Sequence, residues 1–137
     1  MKATLQAGLD TETSFVVDRE RTINFMGEAA RVYATPVLVR DIEVACRNLL
    51  LAHLDPGEDS VGTRVEIDHL AATLVGMPVT LAVRVAEVNG RVVTFEVSGR
   101  DAVEPIVRGR HARFVVDVAK TGERLAAKAA KARAAQG

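Results

Sequence analysis

The sequence contains no tryptophan, one tyrosine and a single cysteine, and its charge is balanced, with 18 basic and 18 acidic residues. One cysteine cannot form an intramolecular disulfide, so Cys46 is interpreted as a small packing residue in a reducing compartment. The balanced charge does not favour a nucleic acid as the main partner. No apolar run approaches the roughly 20 residues that cross a membrane, and the amino-terminal residues do not resemble a signal peptide. We therefore expect a cytoplasmic protein with no nucleic-acid and no membrane partner.

A chain of 137 residues is long enough for one hydrophobic core and too short for two. We expect a single domain over residues 1–137, with its core at about 11–118 and a basic, Ala-rich helix at 119–137. That helix has one sizeable apolar side chain, Leu125, and is either a solvated tail or an arm that contacts phosphate. The histidines at positions 53, 69 and 111 lack the paired spacing of a zinc site. Neither a metal nor another cofactor is expected.

A long helix is predicted to begin at Thr35 and to end before residues 55–57. A threonine followed by Pro36 favours a helix start, because the hydroxyl can accept from the first turn and proline has no N–H to leave unpaired. Apolar residues then recur three or four positions apart over most of the circumference, which predicts a buried helix: Leu38, Ile42, Ala45, Cys46, Leu49 and Leu50. Glu43 is the exception, and a carboxylate in such a helix needs a polar partner.

The remaining patterns predict strands at 11–18, 60–70, 77–88, 91–97 and 106–118. Asn89 and Gly90 lie between two alternating runs and predict a hairpin. Strict alternation over 60–70 places a set of side chains on one face, namely Val61, Thr63, Val65, Ile67 and His69. His69 would then point with the apolar residues. We expect it to share one cavity with Glu43.

One antiparallel sheet wrapped around one apolar helix is the simplest architecture for this order of elements. The opposite face of the sheet would contain Ala82, Arg84, Ala86, Val92 and Thr94. That mixture is too apolar to be wholly solvated, and it predicts pairing with a second copy of the chain. The strand at 106–118 has no clean apolar face in its first half, so that half is expected at a sheet edge, a ligand rim or a subunit contact.

The ordered set of motifs resembles the fluoroacetyl-CoA thioesterase-like family of the hot-dog superfamily. The matching positions span about 11–118 and are Ala34-Thr35-Pro36, Glu43 with Ala45, Leu54-x-Pro56-Gly57, Val61-Gly62-Thr63, His69-x-Ala71-Ala72-Thr73, Gly76, Val88-x-Gly90-Arg91 and Gly109-x-His111-x-Arg113. The resemblance implies an α+β hot-dog fold and a homodimer. It also implies an acyl-CoA thioesterase that hydrolyses a short acyl-CoA to the free acid and CoA.

The same resemblance implies the site residues: Thr35, Glu43 and His69 as catalytic, and Gly62 and Arg113 as substrate-binding. The sequence departs from the family where the fluoroacetate-specific enzyme has a lid phenylalanine shortly before its threonine, since residues 28–32 contain no aromatic. We therefore expect thioester hydrolysis without selectivity for the fluorinated acyl group. Arg40 and Asp41 also stand where the family has small or apolar residues, and the sequence gives no functional reason for them.

In such a site, His69 would be the base near neutral pH. Thr35 would be either the nucleophile or the residue that holds the attacking water, and Glu43 would either orient the imidazole or act itself on water or the acyl carbon. The amino terminus of the helix would stabilise the oxyanion. Each residue also has a structural interpretation: an N-cap for Thr35, a core histidine for His69, and a partner of Arg40 or Arg47 for Glu43. A module that binds CoA or a small acyl ligand without turnover is the alternative function.

Overall fold

A long helix packs against one face of a five-stranded antiparallel sheet in the computed structural model, which describes residues 1–137. The sheet strands are β1 (Asp10–Val16), β4 (Glu58–His69), β5 (Pro78–Asn89), β6 (Val92–Asp101) and β7 (Pro105–Asp117), in the order β1-β5-β6-β7-β4. Two short strands, β2 (Thr22–Ile23) and β3 (Val32–Tyr33), form a separate hairpin before the helix α1 (Thr35–Leu51). A second helix, α2 (Val118–Gln136), follows β7. The predicted hot-dog architecture, one α+β sheet around a central helix, is confirmed.

The sequence predicts a helix that is buried over most of its circumference. In the structure, α1 is buried on one face only. Its buried residues follow three-to-four spacing and are Leu38, Ile42, Ala45, Cys46 and Leu50. Val44, on the other side, is 51% exposed, because no element of the chain packs on that side. The helix ends at Leu51, before residues 55–57 as predicted. The apolar side chains of α1 and the sheet form one core, in which each fully buried Leu or Ile contributes roughly 1.5–3 kcal/mol.

The predicted strands are confirmed, with ends that differ from the predicted ones by one to four residues. Strand β6 runs on to Asp101, four residues beyond its predicted end, so the connection to β7 shortens to residues 102–104. The Asp101 carboxylate closes this turn by accepting hydrogen bonds from the N–H groups of Val103 and Glu104 at 2.8 and 3.0 Å. The β5–β6 hairpin turns at Gly90, whose φ of 60° is in the region that glycine adopts without strain.

A β-bulge interrupts the alternation of β4. Its pairing with β7 shifts between Gly62 and Arg64, and one extra residue lies opposite the partner strand. Ser60 is therefore buried and Val61 is 46% exposed, the reverse of the predicted faces, whereas Val65 keeps its predicted inward side. The prediction of strict alternation is wrong for the first half of this strand. Because of the bulge, Gly62 faces α1.

The position of each strand in the sheet decides which ones are edges. Strand β7 lies between β6 and β4, so a sheet edge is excluded for its mixed first half. Strand β4 is at one end of the sheet and β1 at the other, which leaves one side of the 12-residue β4 without a strand partner. Helix α2 contributes no buried residue. No helix of the chain has the length and apolarity needed to cross a membrane.

Candidate active site

A threonine and a histidine meet where α1 begins and β4 ends. Thr35 is the first residue of α1, and its Oγ1 lies 2.8 Å from Nδ1 of His69, the last residue of β4. The N-cap position belongs to Ala34, so Thr35 does not cap the helix through its side chain. The hydroxyl is exposed to solvent, where a substrate carbonyl can approach it. The pair has the geometry of a hydroxyl nucleophile and its base.

The environment of His69 favours the neutral imidazole. Partial burial lowers its pKa below the ordinary 6.5, because the charged form is desolvated. A neutral Nδ1 that accepts the Thr35 proton leaves the hydrogen on Nε2, and this buried Nε2 has no hydrogen-bond partner in the chain. The ring is therefore held by one hydrogen bond and by packing. An edge-to-face contact with Tyr33, at a centroid distance of 6.4 Å, is part of that packing.

Glu43 lies in a second group, built around a buried arginine. Its Oε1 is 3.5 Å from Nη1 of Arg113, a residue of β7 that is only 5% exposed. Arg113 also donates from Nε to Ser60 Oγ at 2.7 Å and from Nη2 to the Ser60 carbonyl at 2.9 Å. The Glu43 side chain itself is 40% exposed, so the prediction of a buried carboxylate is wrong. Arg113 holds the carboxylate in place while its outer edge remains open to solvent.

His111 supports this arrangement as a neutral side chain. It is fully buried, Nδ1 lies 2.8 Å from the Arg64 carbonyl, and Nε2 lies 3.1 Å from Nη1 of Arg113. These partners make Nδ1 the donor and Nε2 the acceptor. Burial lowers the pKa of His111, so its 4.0 Å approach to Glu43 is not an ion pair near neutral pH. In the sequence, His111 is only one position of the family pattern, because no local signal shows that it contacts Arg113.

The threonine–histidine pair and the glutamate group lie apart along the seam, which is the line where α1 packs against β4. Thr35 and Glu43 are eight residues apart on α1, about 12 Å along the axis. Gly62 and His69 are seven residues apart on β4, about 23 Å in an extended strand. No nitrogen of His69 lies within 4.0 Å of a Glu43 oxygen. One chain therefore brings Thr35 to His69 and Glu43 to Arg113, but it does not bring the expected carboxylate to the expected imidazole.

The structural interpretation of Glu43 is not supported. Arg47 forms a bidentate pair with Asp59, at 2.9 and 2.7 Å, and Arg40 lies 3.7 Å from Asp41. Neither arginine of α1 is engaged with Glu43. Its carboxylate instead faces the open side of the seam. No group of three or more His, Cys, Asp or Glu side chains is placed to hold a metal ion.

Gly62 provides the space that the Glu43 carboxylate occupies. A Cβ at position 62 would overlap Oε1 of Glu43 and would lie 3.1 Å from Cε1 of His111. A Gly62→Ala substitution should therefore displace the carboxylate while the fold persists, because the carboxylate is the free end of a flexible side chain. Since a shift of about 1 Å in a catalytic group can cost 10²-fold, we expect kcat/KM for a short acyl-CoA to fall by about that factor.

The control for this substitution is Gly122→Ala in α2, where an added Cβ meets nothing within 4 Å. That variant should keep wild-type turnover, and in a helix interior it should be more stable by about 1 kcal/mol. Steady-state kinetics and thermal unfolding of both variants make the comparison. Wild-type turnover in Gly62→Ala would show that the position of Glu43 is not critical.

Comparison with known proteins places this geometry in one family. The family described as fluoroacetyl-CoA-specific thioesterase matches residues 17–119. A fluoroacetyl-CoA thioesterase from Streptantibioticus cattleyicolor is 33% identical over 127 residues, covering 88% of this chain and 91% of the relative. A crystal structure of a point mutant of the fluoroacetyl-CoA-specific thioesterase superposes with a TM-score of 0.85 at 32% identity, covering 93% of this chain and 99% of the other. A Thermus thermophilus member of the thioesterase superfamily gives a TM-score of 0.88 at 29% identity, covering 96% and 98%.

Proposed function

This chain belongs to the fluoroacetyl-CoA-specific thioesterase family, and we propose that it hydrolyses a short acyl-CoA to the free acid and CoA. The observation that carries the proposal is the hydrogen bond of 2.8 Å between the exposed Thr35 hydroxyl and Nδ1 of the partly buried His69. A hydroxyl paired with a neutral imidazole is a means of attacking an acyl carbon.

In the proposed reaction, Thr35 Oγ1 attacks the thioester carbonyl as its proton moves to Nδ1 of His69. The partial positive charge at the start of α1 stabilises the oxyanion, an effect of about 3 kcal/mol for a well-placed donor. The C–S bond then breaks, and the thiolate of CoA takes the proton from His69. Water hydrolyses the acyl-threonine ester with His69 again as base, which releases the acid and restores the hydroxyl.

We further propose that two copies pair through their β4 strands. The free side of β4 offers a row of unpaired backbone groups, which an antiparallel copy of the same strand can satisfy. The outer face of the sheet, where the sequence predicted the contact, is a poorer surface. A row of alternating charges crosses it from one edge to the other, at Asp10, Arg84, Glu96, Arg110 and Glu66.

This pairing accounts for the separation of Glu43 from His69. In an antiparallel pair centred between Val65 and Glu66 of β4, His69 lies opposite Gly62 of the partner subunit, and the partner's Glu43 lies beside that glycine. Each site would then consist of Thr35 and His69 from one protomer and Glu43 of the partner subunit. The carboxylate would stabilise the protonated base or direct the water of the second step.

The activity is tested with a panel of acyl-CoA thioesters and a thiol-reactive dye. We expect rapid release of free CoA thiol from the short acyl chains. We expect no strong preference for fluoroacetyl-CoA, because residues 28–32, where the lid phenylalanine would lie, contain no aromatic side chain. Saturable binding of CoA with no thiol release from any member of the panel would contradict hydrolysis and identify a binding module.

The pH dependence of the rate should report His69. Because desolvation lowers its pKa, the imidazole stays neutral, and so able to accept a proton, at more acidic pH than an exposed histidine. As pH rises, kcat/KM should increase and reach a plateau, with a midpoint below 6.5. A rate profile over pH 4.5–8.5 measures this midpoint, and a rate that falls as pH rises towards 6.5 would show that neutral His69 is not the base.

The proposal places the protein in the cytoplasm, where CoA thioesters are available and where a reduced thiol is stable. Cys46 supports this compartment, since it is free and buried in α1. Fractionation of cells followed by immunoblotting tests it, and recovery of the chain mainly outside the cytoplasmic fraction would contradict it.

A further inference from the structure

A buried carboxylate in α1 lies outside the catalytic scheme. The Asp41 side chain is 9% exposed, accepts a hydrogen bond from the Tyr33 hydroxyl, and accepts a second from Nε of Arg21 at 3.0 Å. Arg21 is fixed in turn, since it bonds Asp18 at 2.7 Å and its guanidinium lies 4.5 Å from the centre of the Phe15 ring. Burying a carboxylate and a guanidinium is costly, and apolar residues at such positions often give a protein that is at least as stable. Stability alone therefore does not explain why Asp41 is a carboxylate.

Tyr33 connects this cluster to the base. Its ring is 2% exposed and makes two edge-to-face contacts, with Phe15 at 6.0 Å and with the His69 imidazole at 6.4 Å. Burial, followed by the neighbouring Asp41, raises the pKa of Tyr33, so the hydroxyl remains a donor throughout the physiological range. A phenol that is hydrogen-bonded at its far end cannot tilt or slide freely. The Tyr33 ring is thus held in a fixed position against the His69 imidazole.

The position of the Tyr33 ring is important because few other contacts within the protomer orient the His69 imidazole. In a serine-protease triad, a carboxylate bonded to the second ring nitrogen keeps the base in its tautomer and orientation. The second nitrogen of His69, Nε2, is buried and has no partner in the chain. Within one protomer, the hydrogen bond to Thr35 and the packing against Tyr33 oppose rotation of the imidazole.

The backbone of the cluster also fixes the other half of the catalytic pair. The N–H of Ala34 donates to the Arg21 carbonyl at 2.9 Å, and the N–H of Tyr33 donates to the Thr73 carbonyl at 2.9 Å. These two bonds set the chain immediately before Thr35. Displacement of Tyr33 would therefore move the hydroxyl as well as the imidazole.

We propose that Asp41 is a positioning residue for thioester hydrolysis, which acts by anchoring the Tyr33 ring against His69 through the Tyr33 hydroxyl. The inference rests on the proposed function. It gives Asp41 a role that the neighbouring residues in the sequence do not predict. Neither Asp41 nor Tyr33 touches the reacting atoms. Their effect should appear in kcat, with KM nearly unchanged.

The test is a double-mutant cycle on kcat. Asp41→Leu removes the acceptor, and Tyr33→Phe removes the hydroxyl but keeps the ring. Each should lower kcat about 10- to 100-fold with KM within about threefold, since a misplacement near 1 Å costs up to 10²-fold. The double variant should be no slower than either single variant, because both interrupt one connection. Asp41→Asn, which keeps an acceptor oxygen, should recover most of the loss.

Asp18→Asn is the matched control, because Asp18 also binds Arg21 but does not touch Tyr33. It should turn over like the wild type. Wild-type kcat in Tyr33→Phe, or a double variant whose loss is the product of the two single losses, would overturn the proposal. Chemical denaturation of each variant excludes a loss of folded protein as the cause.

Nitrogen NMR of the His69 ring separates this proposal from the proposed activity. We expect one Nε2–H tautomer in the wild type and a mixture of tautomers in Asp41→Leu and Tyr33→Phe. If the wild type released no thiol but the tautomers still changed in this way, the proposed hydrolysis would be wrong and the proposed anchoring of His69 would still be supported. An unchanged tautomer in both variants would overturn the anchoring whatever the activity of the wild type.

Discussion

Replacing His69 with alanine is expected to lower kcat/KM for a short acyl-CoA by about 10²–10⁴-fold, the range of a general base. The substitution removes the only group within hydrogen-bond distance that can take the proton of the Thr35 hydroxyl. The fold should survive, because the imidazole makes one side-chain hydrogen bond and its second nitrogen makes none. Steady-state kinetics with a thiol-reactive dye and a thermal melt measure the two effects.

His53→Ala is the matched control, since His53 is a half-buried histidine whose Nδ1 bonds Thr4 on another part of the surface. It should keep wild-type turnover. If His69→Ala were as active as His53→Ala, the threonine–histidine pair would be structural, and the proposed mechanism would be wrong.

Replacing Glu43 with glutamine should give a second large loss, again about 10²–10⁴-fold in kcat/KM. Glutamine has nearly the same shape, but it can neither stabilise a protonated base by charge nor take a proton. Because the Glu43 side chain is 40% exposed, the loss of its interaction with Arg113 should cost only about 1 kcal/mol of stability. Kinetics and denaturant unfolding separate the catalytic effect from the structural one.

Glu123→Gln in α2 makes the same chemical change on an exposed helix, and it should leave turnover intact. A Glu43→Gln enzyme with normal kcat/KM would exclude the carboxylate from the reaction. A variant that is inactive only because it is unfolded would be revealed by its melting curve.

The sequence contains enough to predict the fold and the types of catalytic residue. Three-to-four spacing in α1, alternation in the strands and the Asn89-Gly90 turn are local signals, and the elements they predict are present. The strand that carries His69 ends where predicted to within one residue. Its inward direction also holds, because the bulge lies upstream of it.

Other features depend on contacts between distant segments and have no local signal. The bulge at Gly62 exists only in the register of β4 against β7, and it reverses the faces of Ser60 and Val61. The support of Arg113 by Ser60 and His111 also depends on that register. The opening of Glu43 to solvent follows from the absence of any element over one side of the seam. None of these three features can be predicted from the spacing of residues along the chain.

The polar residues at positions 40 and 41 also have environments that local sequence signals do not predict. In sequence they look like misplaced charges in an apolar helix. In the fold they have different environments: the Arg40 side chain is exposed, whereas the Asp41 side chain is buried against Tyr33 and Arg21. Only the approach of the segment at Arg21 to the start of α1 makes a carboxylate acceptable there.

The most direct test of a site shared between two protomers is complementation between inactive variants. Thr35→Ala and Glu43→Gln are each expected to be inactive, but a mixed dimer would contain one site with an intact Thr35 and His69 facing an intact Glu43 of the partner subunit. Equal mixing after dissociation should restore about a quarter of wild-type activity, since half of the dimers are mixed and each has one complete site. Activity that stays at the level of the separate variants, although mixed dimers are shown to form, would contradict the shared site.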